Sequence, residues 1–168
     1  IAVQNTNLLE QTLIRTRELE TLLEAAQAIA LTLNLEDAFR SVSELMLHAL
    51  EMDDCAIMMW DNVENTLTVE VAVNRYGEAN QIAPLGTQYN LRQYPTRSKS
   101  LQQAEIIVMT PDSLDHDPSE RDDLKRTGDK LRVLIPLVVR EQSIGLIQVQ
   151  QAHYQREFGH REIRLAQA

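Results

Sequence analysis

The chain has 168 residues, 43% hydrophobic and 24% charged, with a formal net charge of −9, which suits one ordinary globular domain plus an appendage. No apolar run approaches the roughly 20 residues of a membrane span, and the acidic balance argues against nucleic acid, since phosphate binding is dominated by Lys and Arg. The lone Cys55 excludes an internal disulfide framework, a thiolate metal cluster and two-cysteine redox chemistry within one chain. The N-terminus IAVQNTNLLEQ lacks the basic-then-apolar grammar of a signal peptide, so a cytoplasmic setting is expected. The chain begins and ends inside apparent helices without a starting Met, as a fragment of a longer protein would.

From about Gln4 to Leu33 there is no Gly or Pro, and the good helix formers Leu, Ala, Glu, Gln and Arg dominate, so one long helix is predicted. Leu9, Leu19, Leu23, Ala26, Ala30 and Leu33 keep the 3-4 spacing of a heptad seam, with Leu8, Leu22, Ala25 and Ile29 beside it. Two adjacent stripes suggest one face for the domain and one for a second copy of the chain. A homodimer through the six seam residues is therefore expected, against the simpler reading of a helix that caps a core. Asn34 and Asp37 mark a fresh helix start, running to about Glu51. Phe39, Val42, Met46, Ala49 and Leu50 would build its buried face, with Ser43, Glu44 and His48 outside.

Cys55–Trp60 is apolar on both faces, as a central strand is, and Cys55 reads as a small buried hydrophobe rather than a nucleophile. After a turn over 61–65, Leu67, Val69, Val71 and Val73 alternate with Thr68, Glu70, Ala72 and Asn74, predicting a strand with one wet face. Leu85 to Leu91 alternates as a third strand. The stretch 79–104 carries no acid but has Arg92, Arg97 and Lys99, and Pro95 opens a short helix ending near Gln103. Tyr94, Thr96, Arg97 and Lys99 thus form a candidate anion site, because a helix N-terminus presents free N–H groups and the positive end of a dipole. The competing reading is internal: Glu105, Asp112, Asp115, Asp117, Glu120, Asp122 and Asp123 follow directly and would neutralise the basic stretch in the fold.

Ile106–Met109 is a short buried strand, and Asp117-Pro118-Ser119-Glu120 is a strong helix start that Gly128 ends. Asp115-His116-Asp117 are adjacent in a loop and supply no metal geometry. Leu131 to Gln150, LRVLIPLVVREQSIGLIQVQ, reads as two strands joined by a polar turn at Arg140–Ser143. The first should be covered on both faces, with an irregularity at Pro136. The second should start buried and end wet at Gln148 and Gln150. A final helix begins near His160.

The Ile135-Pro136-Leu137 strand, Ile144-Gly145-Leu146-Ile147, and Phe158 followed by Glu162-Ile163 and Leu165-Ala166 resemble a GAF domain, the sensory module of bacterial signalling proteins such as sensor histidine kinases. The resemblance implies an α/β (α+β) fold with a central antiparallel sheet of about six strands, helices on both faces and a long N-terminal helix. The expected division is 1–33 as signalling and dimerisation helix, 34–158 as sensory domain, and 159–168 as the start of an output helix. Asp117 to Leu124, Gly128 and Pro136 are similar in spacing to the chromophore helix of cyanobacterial phytochrome-like members. Ser119-Glu120 stands where those carry Cys-His, so no covalent bilin is expected. The several cysteines of sulfoxide-reductase members and the Asn-Lys-Phe-Asp-Glu signature of cyclic-nucleotide binders are missing too. The implied function is a sensory module binding a small ligand of unspecified identity and relaying through coiled-coil helices, or else a ligand-free dimerisation and transmission module. No nucleophile–base pair, metal spacing or phosphate loop points to an enzyme.

Overall fold

The two apolar hairpins organise a six-stranded sheet in a computed structural model, which describes residues 2–75, 84–113, 117–153 and 157–167. The elements run α1 (Ala2–Leu50), β1 (Asp54–Asp61), β2 (Thr66–Asn74), β3 (Gln88–Asn90), α2 (Pro95–Gln103), β4 (Ile107–Met109), α3 (Pro118–Thr127), β5 (Leu131–Val139), β6 (Gln142–Gln151) and α4 (His160–Gln167). The sheet order is β3-β2-β1-β6-β5-β4, with every pairing antiparallel.

The chain divides into two units, residues 1–38 and 39–168. In the first, the helix does not end near Leu33 as the Asn34 cap signal predicted; α1 runs straight through Asn34. An Asn inside a helix costs well under ~1 kcal/mol, and no Gly or Pro stands nearby to stop it. Ile14, Leu19, Leu22 and Leu23 are exposed, while the side chains of Leu9, Ala26, Ala30 and Leu33 lie outside those described.

In the second unit, one face of the sheet carries Cys55, Ile57, Val71, Val73, Leu131, Val133, Ile135, Ile147 and Val149, packed against Leu47 and Leu50 of α1, with Phe39, Met46, Phe158 and Ala166 at its margin. The helix face differs from the predicted one: Ser43 and Leu47 are buried, whereas Val42 and Ala49 are exposed. Ser43 lowers its cost inward by donating to the Phe39 carbonyl at 2.8 Å, a bond that suits a hydroxyl in a helix. The other face carries Ala56, Met58, Leu67, Val69 and Leu146 under Leu101 of α2, and Leu134 and Met109 under Leu124 of α3.

Two bulges adjust this pattern. Ile57 pairs with Val71 but Met58 pairs with Val69, leaving Glu70 as an extra, exposed residue. A strand's faces invert across an inserted residue, so Val71 and Val73 join one core and Leu67 and Val69 the other; the single wet face predicted for β2 is therefore not formed. A second shift follows Pro136, between Leu137 and Val138, where an irregularity was expected. Gly145 sits against β1 so closely that a Cβ would strike the Met58 carbonyl oxygen. β6 runs opposite to expectation, exposed at its start and buried at its end. The reason is register: β1 covers β6 only from Gly145 to Gln150, so the hairpin tip at 138–143 projects beyond it. No helix among the described residues is long and apolar enough to cross a membrane.

Candidate functional site

The site is built on the α2/α3 face of the sheet. Pro95 opens α2 with no side-chain cap of its own from Tyr94; instead the Thr96 N–H donates to Asp117 Oδ2 at 3.0 Å. The other oxygen, Asp117 Oδ1, accepts from the Glu120 N–H at 2.6 Å, so one carboxylate serves the N-termini of both α2 and α3. Each helix gains the anion its dipole and free N–H groups favour. The Glu120 side chain does not fold back to complete a capping box. It turns inward to Arg97, accepting from Nε at 2.5 Å and Nη2 at 3.3 Å.

Arg97 and Arg132 are both fully buried. Arg132 lies between Leu131 and Val133 in β5 and so points to the helix-covered face. Its Nη1 donates to Glu120 Oε2 and Asp123 Oδ2, each at 3.1 Å, and its Nε and Nη2 donate to Asp129 Oδ2 at 3.0 and 2.6 Å. Arg97 also lies 4.0 Å from the Tyr89 ring centre and 5.1 Å from that of Tyr94, with Nη1 3.4 Å from Met58 Sδ. Burying a charge costs several kcal/mol unless it is paired and hydrogen-bonded, and here the pairing is dense. Burial alone would push Asp123 up, but the Arg126 hydrogen bond and the Arg132 and Arg97 charges hold its carboxyl below the usual range. Asp129 is raised, because desolvation outweighs its contact with Arg132.

Of the candidate anion residues, Tyr94, the Thr96 N–H and Arg97 converge near the start of α3, while Lys99 is exposed and pairs with Glu105 at 3.5 Å. The anion facing Arg97 in this arrangement comes from the chain's own acidic segment. Asp115 and His116 lie outside the described residues, and among the described ones no group of His, Cys, Asp and Glu could hold a metal. Cys55 is buried against Ser43, and desolvation pushes its thiol up to about 12.

A second polar feature lies beside the ion network. Asn74, Asp54, Gln150 and Arg132 are successive cross-strand partners over four strands, and the neighbouring row is Ala72, Ala56, Gln148 and Leu134. Asn74 Nδ2 donates to Asp54 Oδ1 at 2.8 Å, and Gln148 Nε2 donates to Gln150 Oε1 at 2.7 Å. Gln148 Oε1 is buried without a hydrogen-bond partner among the described residues, while the Gln150 amide hydrogen-bonds with the Asp54 carboxyl. Asp54, desolvated here, has its carboxyl raised. Alternation alone predicts Gln148 and Gln150 as the wet end of β6; the signal for their burial is their position in a strand flanked on both sides by β1 and β5.

A scan against protein families matches residues 34–168 to the GAF domain. The chain belongs to the GAF family. Among solved structures, the red-absorbing state of NpR6012g4, a red/green cyanobacteriochrome, superposes with a TM-score of 0.65 at 20% identity, covering 79% of this chain and 86% of that one. The GAF domain/HD domain protein from Geobacter sulfurreducens gives 0.64 at 16% identity, covering 78% and 83%. The GAF domain of a two-component sensor histidine kinase from Bacillus halodurans gives 0.56 at 15%, covering 71% and 80%. A search of curated proteins found no match. At these identities the structural likeness shows the GAF fold, and the residues facing α2 and α3 are this chain's own.

Proposed function

We propose that the chain is the sensory module of a longer signalling protein of the sensor histidine kinase kind, and that it binds a small molecule on the α2/α3 face of its sheet. The observation that carries this reading is the polar character of the α2/α3 face, where Asp54, Gln148, Gln150 and Arg132 are buried side by side across three strands and Gln148 Oε1 has no hydrogen-bond partner among the described residues. Such an atom costs about 1–3 kcal/mol, a cost that a bound molecule would remove. Binding would then favour one arrangement of α2 and α3 over another, which is all that coupling requires. Ser119-Glu120 supplies no thiol for a covalent bilin, so the bound molecule is held noncovalently.

Relay would pass through α1 to a second copy of the chain, since Ile14, Leu19, Leu22 and Leu23 present apolar surface to solvent and a coiled-coil seam buries such residues. Light scattering tests this part: a chain starting near Asn34 should form a smaller assembly than the full 168 residues. Equal assemblies would remove the seam from the account. The ligand reading is tested by thermal shift against nucleotides, haem, bilins, amino acids and small acids, because a molecule that binds the native state raises the melting temperature. A flat response to all of them would favour the alternative, a ligand-free dimerisation and transmission module.

A further inference from the structure

We infer that the hollow between the last turn of α1 and the end of β2 takes a small zwitterion, an α-amino acid with a short apolar side chain. The site is bounded by α1 rather than by α2 and α3, and it does not depend on the ligand reading above. A cavity of about 330 Å³ is lined there by Glu44, Leu47, His48, Asn74 and Arg75, near the lower end of ligand sites in general. Its two walls are tied at the base. The Met52 N–H donates to the Leu47 carbonyl at 3.1 Å as α1 ends, and the Arg75 N–H donates to the Asp53 carbonyl at 2.8 Å, so charged groups of the helix and of the strand are brought to one opening.

The charges around this cavity are of both signs, and the fold does not pair them. Glu44 brings a carboxylate, Arg75 a guanidinium and His48 an imidazole, and among the described residues no side-chain hydrogen bond or ion pair engages any of the three. The buried arginines, Arg97 and Arg132, are by contrast each matched to a carboxylate. Opposite charges that line one cavity without meeting leave room for a molecule that carries both signs. Its ammonium group is favoured at Glu44 and at the last carbonyls of α1, the negative end of the helix dipole. Its carboxylate is favoured at Arg75, whose planar fork donates two parallel bonds. Leu47, almost wholly buried, gives the apolar side chain its contact. A plain anion such as phosphate meets Glu44 as well as Arg75 and gains little. Occupancy fastens the last turn of α1 to the end of β2.

The probe is L-leucine, with two controls on the same carbon skeleton: 4-methylpentanoate, which lacks the ammonium group, and 3-methylbutylamine, which lacks the carboxylate. Thermal shift and carbon-13 NMR of the Leu47 methyl groups read the outcome on the full chain. Leucine should raise the melting temperature and move the Leu47 signals, with each control at least about tenfold weaker in affinity, as loss of one charged hydrogen-bonding group implies. Glu44→Gln and Arg75→Gln change exposed side chains and leave the core intact, and each should weaken leucine by a similar factor. No response to leucine, an equal response to either control, or undiminished binding by both variants would overturn the inference. A leucine response that survives in both variants and disappears in Gln148→Leu/Gln150→Leu places the ligand on the α2/α3 face; the sensory reading then stands and the zwitterion site falls.

Discussion

Arg97 on α2 and Arg132 on β5 are both fully buried and share the carboxylate of Glu120. Through that one residue the two helices and the sheet are tied together, and removing its charge leaves two guanidinium groups competing for Asp123 and Asp129. Breaking a buried ion network from one side costs about 3–5 kcal/mol. Glu120→Gln, which preserves shape, should therefore lower stability by about 3 kcal/mol in urea titration, and added inorganic phosphate should not raise the wild-type melting temperature. Stabilisation by phosphate would restore the anion site at Tyr94, Thr96, Arg97 and Lys99.

The β5–β6 hairpin turns at Arg140 and Glu141, with φ of 50° and 65°. Two left-handed residues between Val139 and Gln142 form the primed turn that matches strand twist, yet neither Arg nor Glu adopts that conformation without strain. Arg140→Asn/Glu141→Gly should raise stability by about 1 kcal/mol, read as an upward shift in the urea midpoint with unchanged slope. Gly145→Ala should act in the opposite sense, by about 3 kcal/mol, because its Cβ meets the backbone of β1.

His153 Nδ1 lies 2.7 Å from Asp53 Oδ2, and the hydrogen bond and charge of Asp53 raise the imidazole pKa. A group whose folded pKa is raised stabilises the fold below its unfolded pKa, about 6.5, and loses that contribution as pH climbs through the folded value. The melting-temperature difference between wild type and His153→Gln should therefore be positive in mild acid and shrink as pH passes neutrality. A difference that grows with pH would show that the pair does not act in this way.

Cys55 offers a direct probe of the α1-facing core. With its thiol pushed up to about 12 by burial, almost no thiolate exists near neutral pH, and the thiolate is the reactive form. The folded protein should resist a thiol-specific chromogenic disulfide reagent, and urea should release one reactive group per chain in step with unfolding.

Periodicity carried most of the strands and the short helices, because a two-residue period and strong caps are local signals. Pro95, Asp117-Pro118 and Gly128 placed α2 and α3 closely. What local patterns missed was set by pairing. Glu70 looks like an ordinary outward residue until the Met58–Val69 register makes it a bulge, and Gln148 and Gln150 look like a fading strand until β1 and β5 enclose them. The basic stretch 79–104 and the acids after it were visible as opposite charges. That Asp117 would cap two helices and Glu120 would join two arginines depends on contacts 12 to 23 residues apart in sequence, which no short window contains.

The central claim is that Gln148 and Gln150 are kept polar for recognition at a cost in stability. Thermal unfolding of ligand-free Gln148→Leu/Gln150→Leu tests it most directly. Gln148 Oε1 has no partner among the described residues, and replacing both members of the Gln148–Gln150 pair by apolar groups of similar shape removes its desolvation cost, so the melting temperature should rise above that of the wild type. A clear fall would show that both amides are satisfied parts of the core, and would contradict the account.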